Sequence, residues 1–432
     1  MFCQLEVLRH CFPPSVRRIL EELPDSLDET YERILMEIRK PNQGHAHRLL
    51  QCLVTAVRPL RVEELAEVLA FDFKPEGIPK LNLSWRWEDQ EEAVMSACSS
   101  LVIIVKDGDS RIVQFSHFSV KEFLTANRLA EPIRDVTRYH IRLEAAHTIL
   151  AQACLGVLLQ LDDRVDRDNM KNFPLAQYAA QYWPTHARFE NASSRIMDGM
   201  ECLFDADEPH FAAWLWIYDE DYPSDTFMPT MCPKKPEAVP LYHAAVLGLR
   251  DLAEHLIAKH PEQVNGMGGR QASPMHSAAE KGSADILSLL IEHGAIVDGR
   301  DGVGQTPLLR ASCGGHLEAG QCLLDRGADI NSRNEDDQTS LFNSIHYEHL
   351  EFARMLLRRG ARVDGIDRIF GLTPLHCAVR RGNIQAVQLL LEHGADFHAP
   401  DKSGRTPYQM ASDCGMHDIM DLLSEYGATS VQ

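Results

Sequence analysis

Thr373-Pro374-Leu375-His376-Cys377-Ala378 is the clearest copy of a short motif that recurs six times in the second half of a 432-residue chain. The second residue of each copy stands at position 240, 274, 307, 340, 374 or 407, so that successive intervals are 34, 33, 33, 34 and 33 residues. A period this constant predicts a solenoid, in which each unit is too small to bury its apolar face alone and stacks on its neighbours.

A second landmark follows the motif in most of the copies. Glycine stands after an apolar stretch and before alanine at five places, namely Gly294, Gly327, Gly360, Gly394 and Gly427. This position is typical of a helix C-cap in the left-handed region, where a Cβ atom costs about 1–2 kcal/mol. Each unit is therefore predicted to contain a turn at Thr-Pro, a short helix, a second turn, a longer helix and a glycine stop.

The repeated motif resembles the ankyrin repeat, whose T-P-L-H-x-A signature is complete at residues 373–378. The resemblance is close over residues 270–427. It is weaker in the first unit, because Tyr242 takes the place of the histidine and His260 that of the glycine. It implies six repeats in residues 236–430, with a shared apolar core and one concave face of hairpin tips and first helices that binds protein partners.

The first part of the chain, residues 1–130, combines helix signals with one hairpin. Ser26 and Glu29 form a capping box that opens a helix. Leu101–Val105 and Arg111–Phe115 are predicted strands, joined by a turn at Asp107-Gly108. Helices followed by a hairpin are typical of a winged-helix domain.

A winged helix raises the alternative of DNA binding, in which the helix before the hairpin enters the major groove. Here that helix begins Glu88-Asp89-Gln90-Glu91-Glu92, so its first turn would place carboxylates against the phosphates. The whole chain carries a net charge of −20, which also repels a polyanion. We therefore expect no nucleic-acid partner, and a winged-helix transcriptional regulator is the alternative to a binding module.

Three segments resemble the winged-helix region of fungal NACHT-type (STAND) signalling NTPases, namely Leu23–Leu35, Arg58–Leu69 and Phe115–Leu124. The same region is also known as the winged helix of a GPI inositol-deacylase. In such proteins a nucleotide-binding domain precedes the winged helix, a helical arm and the repeats. The chain contains no G-x-x-x-x-G-K-[ST] motif. The resemblance thus implies that the chain is the C-terminal part of such a receptor, without its NTPase domain. It also implies that this part relays occupancy of the repeats to an NTPase in cis or in trans.

Residues 131–235 are predicted to form a helical connector between these two parts. Trp183, Trp214 and Trp216 lie in it and are expected to pack in its core. Asp219-Glu220-Asp221 and three later prolines mark a linker, with the domain boundary near residue 235. The predicted fold class is mainly α: a winged-helix domain with a small β-hairpin, a helical connector and an ankyrin-repeat α-solenoid.

Signatures of catalysis and metal binding are missing from the sequence. It has no G-x-S-x-G or H-E-x-x-H motif, and its eleven cysteines lack C-x-x-C pairing. His117 and Ser119 are expected to belong to a structural turn, while His276 and His376 are expected to hydrogen-bond between neighbouring turns. We therefore expect no catalytic residue, cofactor or metal. Reduced thiols, with neither a signal sequence nor a membrane span, favour a cytoplasmic protein.

Partner-binding residues are expected at the hairpin tips and on the first helices, where the side chains differ among the copies. Ile369-Phe370 is a candidate apolar anchor, or else its side chains pack to accommodate a one-residue insertion in that loop. Seven arginines between Arg354 and Arg381 either form a solvated helix face or dock an acidic protein segment. The candidate binding residues are Arg310, Asn343, Asp367, Ile369, Phe370, Arg380, Arg381 and Lys402.

Overall fold

The computed structural model describes residues 26–73, 77–108, 110–130, 136–162, 164–166, 168–190, 192–218 and 238–427. The chain divides into two compact units, Met1–Pro236 and Glu237–Gln432, which are called unit 1 and unit 2 below. The predicted linker at Asp219-Glu220-Asp221 and the Leu23-Pro24 end of the winged-helix resemblance lie outside the described residues.

The described part of unit 1 opens with five α-helices and a small antiparallel sheet. Its helices are α1 (Leu27–Glu37), α2 (Gln43–Thr55), α3 (Val62–Val68), α4 (Gln90–Cys98) and α5 (Phe118–Thr125). Its strands are β1 (Leu60–Arg61), β2 (Phe71–Asp72), β3 (Lys80–Leu81), β4 (Val102–Asp107) and β5 (Ser110–Phe115). The sheet has the order β1-β5-β4, and β2 pairs separately with β3.

The predicted hairpin is present, and a strand that the sequence did not indicate completes the sheet. β4 and β5 pair from Val102 opposite Phe115 to Asp107 opposite Ser110. β1 adds to the free edge of β5, with Leu60 opposite Val113. Leu60 is fully buried, which explains why the chain after Pro59 turns into the sheet rather than out to solvent.

The helix before the hairpin, α4, is acidic where it meets solvent. Asp89 lies just before it and its carboxylate accepts a hydrogen bond from the Glu92 backbone N–H at 3.0 Å, so it acts as a helix cap. Glu91 forms an ion pair with Arg111 of β5, and Glu92 is exposed. This surface opposes contact with a phosphate backbone, and the DNA-binding alternative is not favoured.

The helical connector continues unit 1 with α6 (Leu143–Leu158), α7 (Ala176–Ala187), α8 (Ala192–Leu203) and α9 (Pro209–Ile217). Trp183, Trp214 and Trp216 are buried in it. The rings of Trp183 and Trp214 meet edge to face with centroids 6.0 Å apart, and Trp214 Nε1 donates to the carbonyl of Ala180 at 3.0 Å. The predicted packing role of the three tryptophans is confirmed.

Buried polar contacts join the connector to the winged-helix part of unit 1. The carboxylate of Glu67, on α3, accepts a hydrogen bond from the backbone N–H of Leu175 at 2.8 Å. The hydroxyl of Tyr178, on α7, accepts one from the backbone N–H of Val57 at 3.1 Å. Each contact spans more than one hundred residues of sequence, so it ties the start of α7 to the winged helix.

Two histidines extend the polar contacts of Tyr178. Its hydroxyl lies 3.0 Å from Nε2 of His186, whose Nδ1 lies 2.9 Å from Nδ1 of His147. The ring of His147 stacks on Phe189 with centroids 4.0 Å apart. Burial, followed by the neighbouring His147, lowers the pKa of His186 to about 3. His186 is therefore neutral in the folded protein at physiological pH.

Unit 1 is expected to lose stability as the pH falls below about 6.5, where a histidine of the unfolded chain becomes protonated. Between that value and the folded pKa of about 3 for His186, the unfolded state binds the additional proton. The free energy of unfolding therefore decreases on acidification, by about 2 kcal/mol at pH 5 from this group alone.

Urea unfolding at pH 7.5 and pH 5 measures this effect. All five tryptophans lie in unit 1, so their fluorescence follows that unit. In the His186→Gln variant the difference between the two pH values should shrink by about 2 kcal/mol. An identical pH dependence in the variant and the wild type would contradict the assignment.

Between residues 238 and 427, unit 2 contains six pairs of α-helices. The first helix of each pair is α10 (Pro240–Val246), α12 (Pro274–Lys281), α14 (Pro307–Gly314), α16 (Ser340–His346), α18 (Pro374–Arg381) or α20 (Pro407–Asp413). The second helices are α11 (Arg250–Lys259), α13 (Ala284–Glu292), α15 (Leu317–Asp325), α17 (Leu350–Arg358), α19 (Ile384–Glu392) and α21 (His417–Glu425). The predicted arrangement of a short first helix and a second helix in each unit is confirmed.

The glycine stops have the predicted conformation. Their φ angles lie between +82° and +103°, at Gly294, Gly327, Gly360, Gly394 and Gly427. The first pair departs from this rule, because α11 ends at His260 with φ −135° and continues into a 3-10 turn. The first repeat, which matches the sequence pattern less well than the others, therefore ends its second helix in a different way.

The motif histidines bind neighbouring turns together, as the sequence indicated. His376 Nδ1 accepts a hydrogen bond from the backbone N–H of Thr373 at 3.3 Å. Its Nε2 donates to the carbonyl of Arg405, in the next repeat, at 3.1 Å. His276 makes the corresponding contacts with the backbone N–H of Ser273 and the carbonyl of Gln305, and its Nε2 also lies 3.0 Å from the carbonyl of Gly299. Burial lowers the pKa of both imidazoles, which keeps one nitrogen free to accept.

Candidate partner-binding surface

The hairpin tips that precede the first helices are built around one acceptor side chain. In each of four tips this side chain accepts one hydrogen bond from the backbone N–H two residues later in the chain and another from the N–H four or five residues later. The four acceptors are Asp301, Asn334, Asp367 and Asp401. Asp367 also receives the N–H of Phe370 at 3.0 Å and is 2% exposed. Asp367, a predicted binding residue, therefore shapes the tip and does not face a partner.

Neighbouring tips are joined by backbone hydrogen bonds. The N–H of Arg368 donates to the carbonyl of Asp336 at 2.6 Å, and the N–H of Lys402 donates to the carbonyl of Phe370 at 3.0 Å. The ammonium of Lys402 also donates to the carbonyl of Arg368. The tips of the fourth, fifth and sixth repeats thus form a continuous edge, on which Lys402 lies beside Phe370.

The apolar pair at the fifth tip extends into solvent. The side chains of Ile369 and Phe370 are 50% and 58% exposed, although their backbone N–H groups are held by Asp367. Gly371 follows with φ +70°, and a Cβ there would lie 2.9 Å from Cγ of Lys402. The extra residue is therefore accommodated by the backbone, and the two apolar side chains remain available to a partner.

Two predicted residues of the first helices have internal partners instead. Arg310 has a side chain that is 13% exposed, and its Nε donates to Asp301 Oδ2 at 2.8 Å. Its guanidinium also reaches Glu280 in the preceding repeat at 3.2 Å. Asn343 is 3% exposed. These two residues connect consecutive repeats, so they do not belong to the exposed candidate surface.

A cationic cluster lies where the first helices of the fourth and fifth pairs end. Arg380 and Arg381 are exposed at the end of α18, and Arg381 Nη2 lies 3.2 Å from Nε2 of His346 at the end of α16. Burial, and then Arg381 and Arg380, lower the pKa of His346, so its Nε2 is available to accept the hydrogen bond. Within the described residues, no carboxylate pairs with Arg380 or Arg381.

Three of the other arginines of this stretch lie on a different helix of the solenoid or at its end. Arg354, Arg358 and Arg359 belong to α17 or its C-cap, the second helix of the fourth pair. Arg359 pairs with Asp325 at 2.6 Å and Arg354 with Glu351 at 3.5 Å. The arginine-rich stretch of sequence therefore supplies two separate groups rather than one surface.

The residues that suggested chemistry have structural roles. His117 caps α5, because its Nδ1 accepts the backbone N–H of Ser119 at 3.3 Å, and the hydroxyl of Ser119 lies 2.8 Å from that of Tyr31. Burial raises the pKa of the Cys52 and Cys98 thiols to about 12, so neither supplies a thiolate. Throughout the described ranges, His, Cys, Asp and Glu side chains form no group of three or more that could hold a metal ion.

In the part of the chain that the structure describes, no helix combines the length and apolar character needed to span a bilayer.

Comparison with known families finds a match in each of the two units. The model of the family "Ankyrin repeats" matches residues 241–334, 303–367 and 341–431. The model "GPI inositol-deacylase, winged helix domain" matches residues 31–133. The chain contains ankyrin repeats and a winged helix domain. The two domain resemblances drawn from the sequence are confirmed, and the ankyrin repeats are a non-catalytic scaffold for protein interaction.

Curated relatives share parts of this organisation. The azaphilone pigments biosynthesis cluster protein L of Monascus ruber is 31% identical over 290 residues, which are 63% of this chain and 60% of that protein. Human protein phosphatase 1 regulatory subunit 27 is 45% identical over 58 residues, 13% of this chain and 38% of that protein. The chain therefore spans less than two thirds of the length of either relative. Among solved structures, the ankyrin repeat domain of Bcl-3 is 30% identical and matches 45% of this chain and 89% of its own, with a TM-score of 0.43.

Proposed function

We propose that the chain is a non-enzymatic interaction module that binds a protein partner on the tips and first helices of its fourth to sixth repeats. The observation that carries this proposal is the combination, within the fifth repeat, of two exposed apolar side chains, Ile369 and Phe370, with two arginines, Arg380 and Arg381, that lack carboxylate partners among the described residues. The concave face expected of ankyrin repeats contains tips and first helices of this kind.

The two groups differ in what they contribute to binding. An exposed aromatic and an aliphatic side chain on a rigid tip lose little conformational entropy on binding and bury apolar area, so they serve as anchors. The arginines select a partner with acidic side chains and increase its rate of association. Together they favour a protein segment that carries apolar and acidic residues near one another.

Replacing Ile369 and Phe370 by serine is expected to weaken partner binding at least tenfold, because the anchors lose the apolar area that they bury in the complex. The partner is first isolated by affinity capture with the wild-type chain and then titrated by calorimetry. The Ile296→Ser variant is the matched control, because Ile296 is 60% exposed in another loop of unit 2. Equal affinity of the double variant and of this control would exclude the tip from the binding site.

We further infer that unit 1 forms the relay half of a fungal NLR-like signalling protein in the cytoplasm. Its winged helix domain supports this inference, as does the similarity to a protein of Monascus ruber. The relay would act on an NTPase domain joined in cis or in trans. The test is whether adding the chain to a NACHT-type NTPase changes its rate of ATP hydrolysis, and whether bound partner changes it again. An unchanged rate in both cases would remove the relay and leave the binding role intact.

A further inference from the structure

A second surface of the solenoid carries a groove lined by arginines. It lies between α15 and α17, the second helices of the third and fourth repeats, and has a volume of about 290 Å³. Leu317 and Gln321 line it from α15, and Met355 lines it from α17. It is separate from the tips and first helices that the proposed function uses.

An unusual glycine lets the two helices approach at this point. Gly320 lies in the middle of α15, where glycine destabilises a helix by about 0.5–1 kcal/mol relative to alanine. A Cβ at this position would lie 2.5 Å from Cζ of Phe352 and 3.2 Å from Cε of Met355. The residues at the same place in the second, fourth, fifth and sixth repeats all have larger side chains: Leu287, Ala353, Val387 and Met420. Among these five repeats, a glycine at this place is therefore particular to the third.

The groove is cationic. Arg354, Arg358 and Arg359 line it together with a single carboxylate, that of Glu351. Asp325, which is not among the lining residues, pairs with Arg359 at 2.6 Å, so the groove and this neighbour together carry a net charge of +1. Arg354 and Arg358 are four residues apart and lie on the same side of α17. Arg354 interacts with Glu351 at 3.5 Å, whereas Arg358 has no carboxylate partner within the described part of the chain.

Helix electrostatics explain only part of this arrangement. Arginines in the last turn of a helix are stabilised by its dipole, by about 0.3–1 kcal/mol each at an exposed site. This applies to Arg358 and Arg359 at the end of α17, but not to Arg354 in the preceding turn. It also gives no reason for their convergence on a groove that contains apolar side chains.

We propose that this groove binds the phosphoryl group of a phosphorylated side chain in the protein partner. A phosphoserine or phosphothreonine carries a charge of about −1.5 to −2 at pH 7 and three acceptor oxygens, so it binds Arg358 and competes with Glu351 and Asp325 for the other two guanidinium groups better than a single carboxylate does. Guanidinium groups bind phosphoryl oxygens in bidentate geometry. Leu317 and Met355 lie in the same groove and contact the methylene or methyl part of the phosphorylated residue.

This inference rests on the proposed function, because it adds phosphorylation as a property of the partner. The full chain is titrated with a fluorescein-labelled five-residue peptide that has a central phosphoserine and alanine elsewhere. Polarisation should show at least tenfold tighter binding of this peptide than of the same peptide with serine or glutamate at the centre. The Arg358→Gln variant should lose at least tenfold in affinity for the phosphopeptide.

The Arg326→Gln variant is the matched control, since Arg326 caps the second helix one repeat earlier and pairs with Glu292 at 3.6 Å. It should change the affinity by less than twofold. The inference is overturned if R358Q binds like the wild type, if R326Q has the same effect as R358Q, or if the glutamate peptide binds equally well. Competition by inorganic phosphate as strong as that by the peptide would also overturn it, since the ligand would then be free phosphate.

The two proposals fail separately. Substitutions at Ile369 and Phe370 should leave binding of the phosphoserine peptide unchanged, because these residues do not line the groove. The variant at Ile369 and Phe370 could lose partner capture while the wild-type chain fails to bind the phosphoserine peptide. That pair of results would support the proposed function and exclude phosphoryl recognition.

Discussion

Reversing the charge of Arg380 and Arg381 together, in the variant R380E/R381E, is expected to weaken the binding of an acidic segment at least about 30-fold. Both guanidinium groups are exposed and lack a carboxylate partner among the described residues, so they can pair with an incoming acid. Glutamates at the same places would repel it and would also remove the hydrogen bond that Arg381 makes with His346 at 3.2 Å.

The measurement uses both the captured partner and a fluorescein-labelled hexaglutamate peptide, each titrated at two salt concentrations. The affinity of the wild type should fall as salt rises, since the Debye length shortens from about 10 Å at 0.1 M to about 3 Å at 1 M. The Lys281→Glu variant is the control, because Lys281 has the place of Arg381 in the second repeat. Unchanged affinity of R380E/R381E, with thermal melting like that of the wild type, would show that the cationic cluster is a solvated helix end.

Replacing Glu64 by alanine is expected to lower the free energy of unfolding of unit 1 by about 3 kcal/mol. Glu64 is fully buried on α3 and accepts two hydrogen bonds from the guanidinium of Arg58, at 2.7 and 2.8 Å. It also accepts the backbone N–H and the Nε of Arg61, at 2.8 and 2.9 Å. Its removal leaves Arg58 without a carboxylate partner and leaves Arg61 with only the more distant Glu63, at 3.5 Å. Each arginine is about 30% exposed, which limits the loss to the lower end of the range for a broken buried ion pair.

The pKa of Glu64 gives this prediction a second readout. Burial alone would raise that pKa, but the hydrogen bonds from Arg58 and Arg61 outweigh it and lower the pKa below its usual value. Its stabilising contribution is therefore present above the unfolded pKa of about 4.3 and is lost as the pH falls through the lower folded pKa. The E64A variant should lose less stability on acidification in this pH range than the wild type.

Urea unfolding followed by tryptophan fluorescence measures the effect, because the signal comes from unit 1 alone. The neighbouring Glu63 provides the control, since its side chain is 31% exposed and approaches Arg61 at 3.5 Å. The E63A variant should change stability by less than about 1 kcal/mol. If E64A and E63A unfold at the same urea concentration, the buried carboxylate does not stabilise the winged helix.

The parts of the fold that follow a short period could be predicted from the sequence. Glycine follows five of the six second helices, and proline begins five of the six first helices, because both are local requirements of backbone geometry. The hairpin at Asp107-Gly108 is equally local. The pairing of β1 with β5, and the contacts of Glu67 with Leu175, bring together residues far apart in sequence, and no local pattern specifies them.

The candidate site was predicted less well, because a polar residue in a variable position was taken to be exposed. Arg310, Asn343 and Asp367 are instead buried or hold neighbouring repeats together, while Ile369, Phe370, Arg380 and Arg381 are exposed. One signal could have separated Asp367 from the others. The same tip position carries Asp or Asn in four repeats, at 301, 334, 367 and 401, and a recurrent acceptor at a turn indicates a structural role.

That recurrent acceptor has an evolutionary consequence. Because one carboxylate or amide oxygen fixes the course of the loop through main-chain N–H groups, the exposed side chains within the loop contribute little to folding. The exception is the residue with positive φ, which is Gly304, Asp337, Gly371 or Gly404. Mutations can then accumulate there without loss of architecture, so the same scaffold can acquire and discard targets rapidly. Insertions are tolerated as well, as the longer loop at Ile369-Phe370 illustrates. Libraries randomised between the acceptor and the following threonine, with the positive-φ residue and, in the fifth repeat, the buried Leu372 kept, should therefore yield a high proportion of folded, diverse binders.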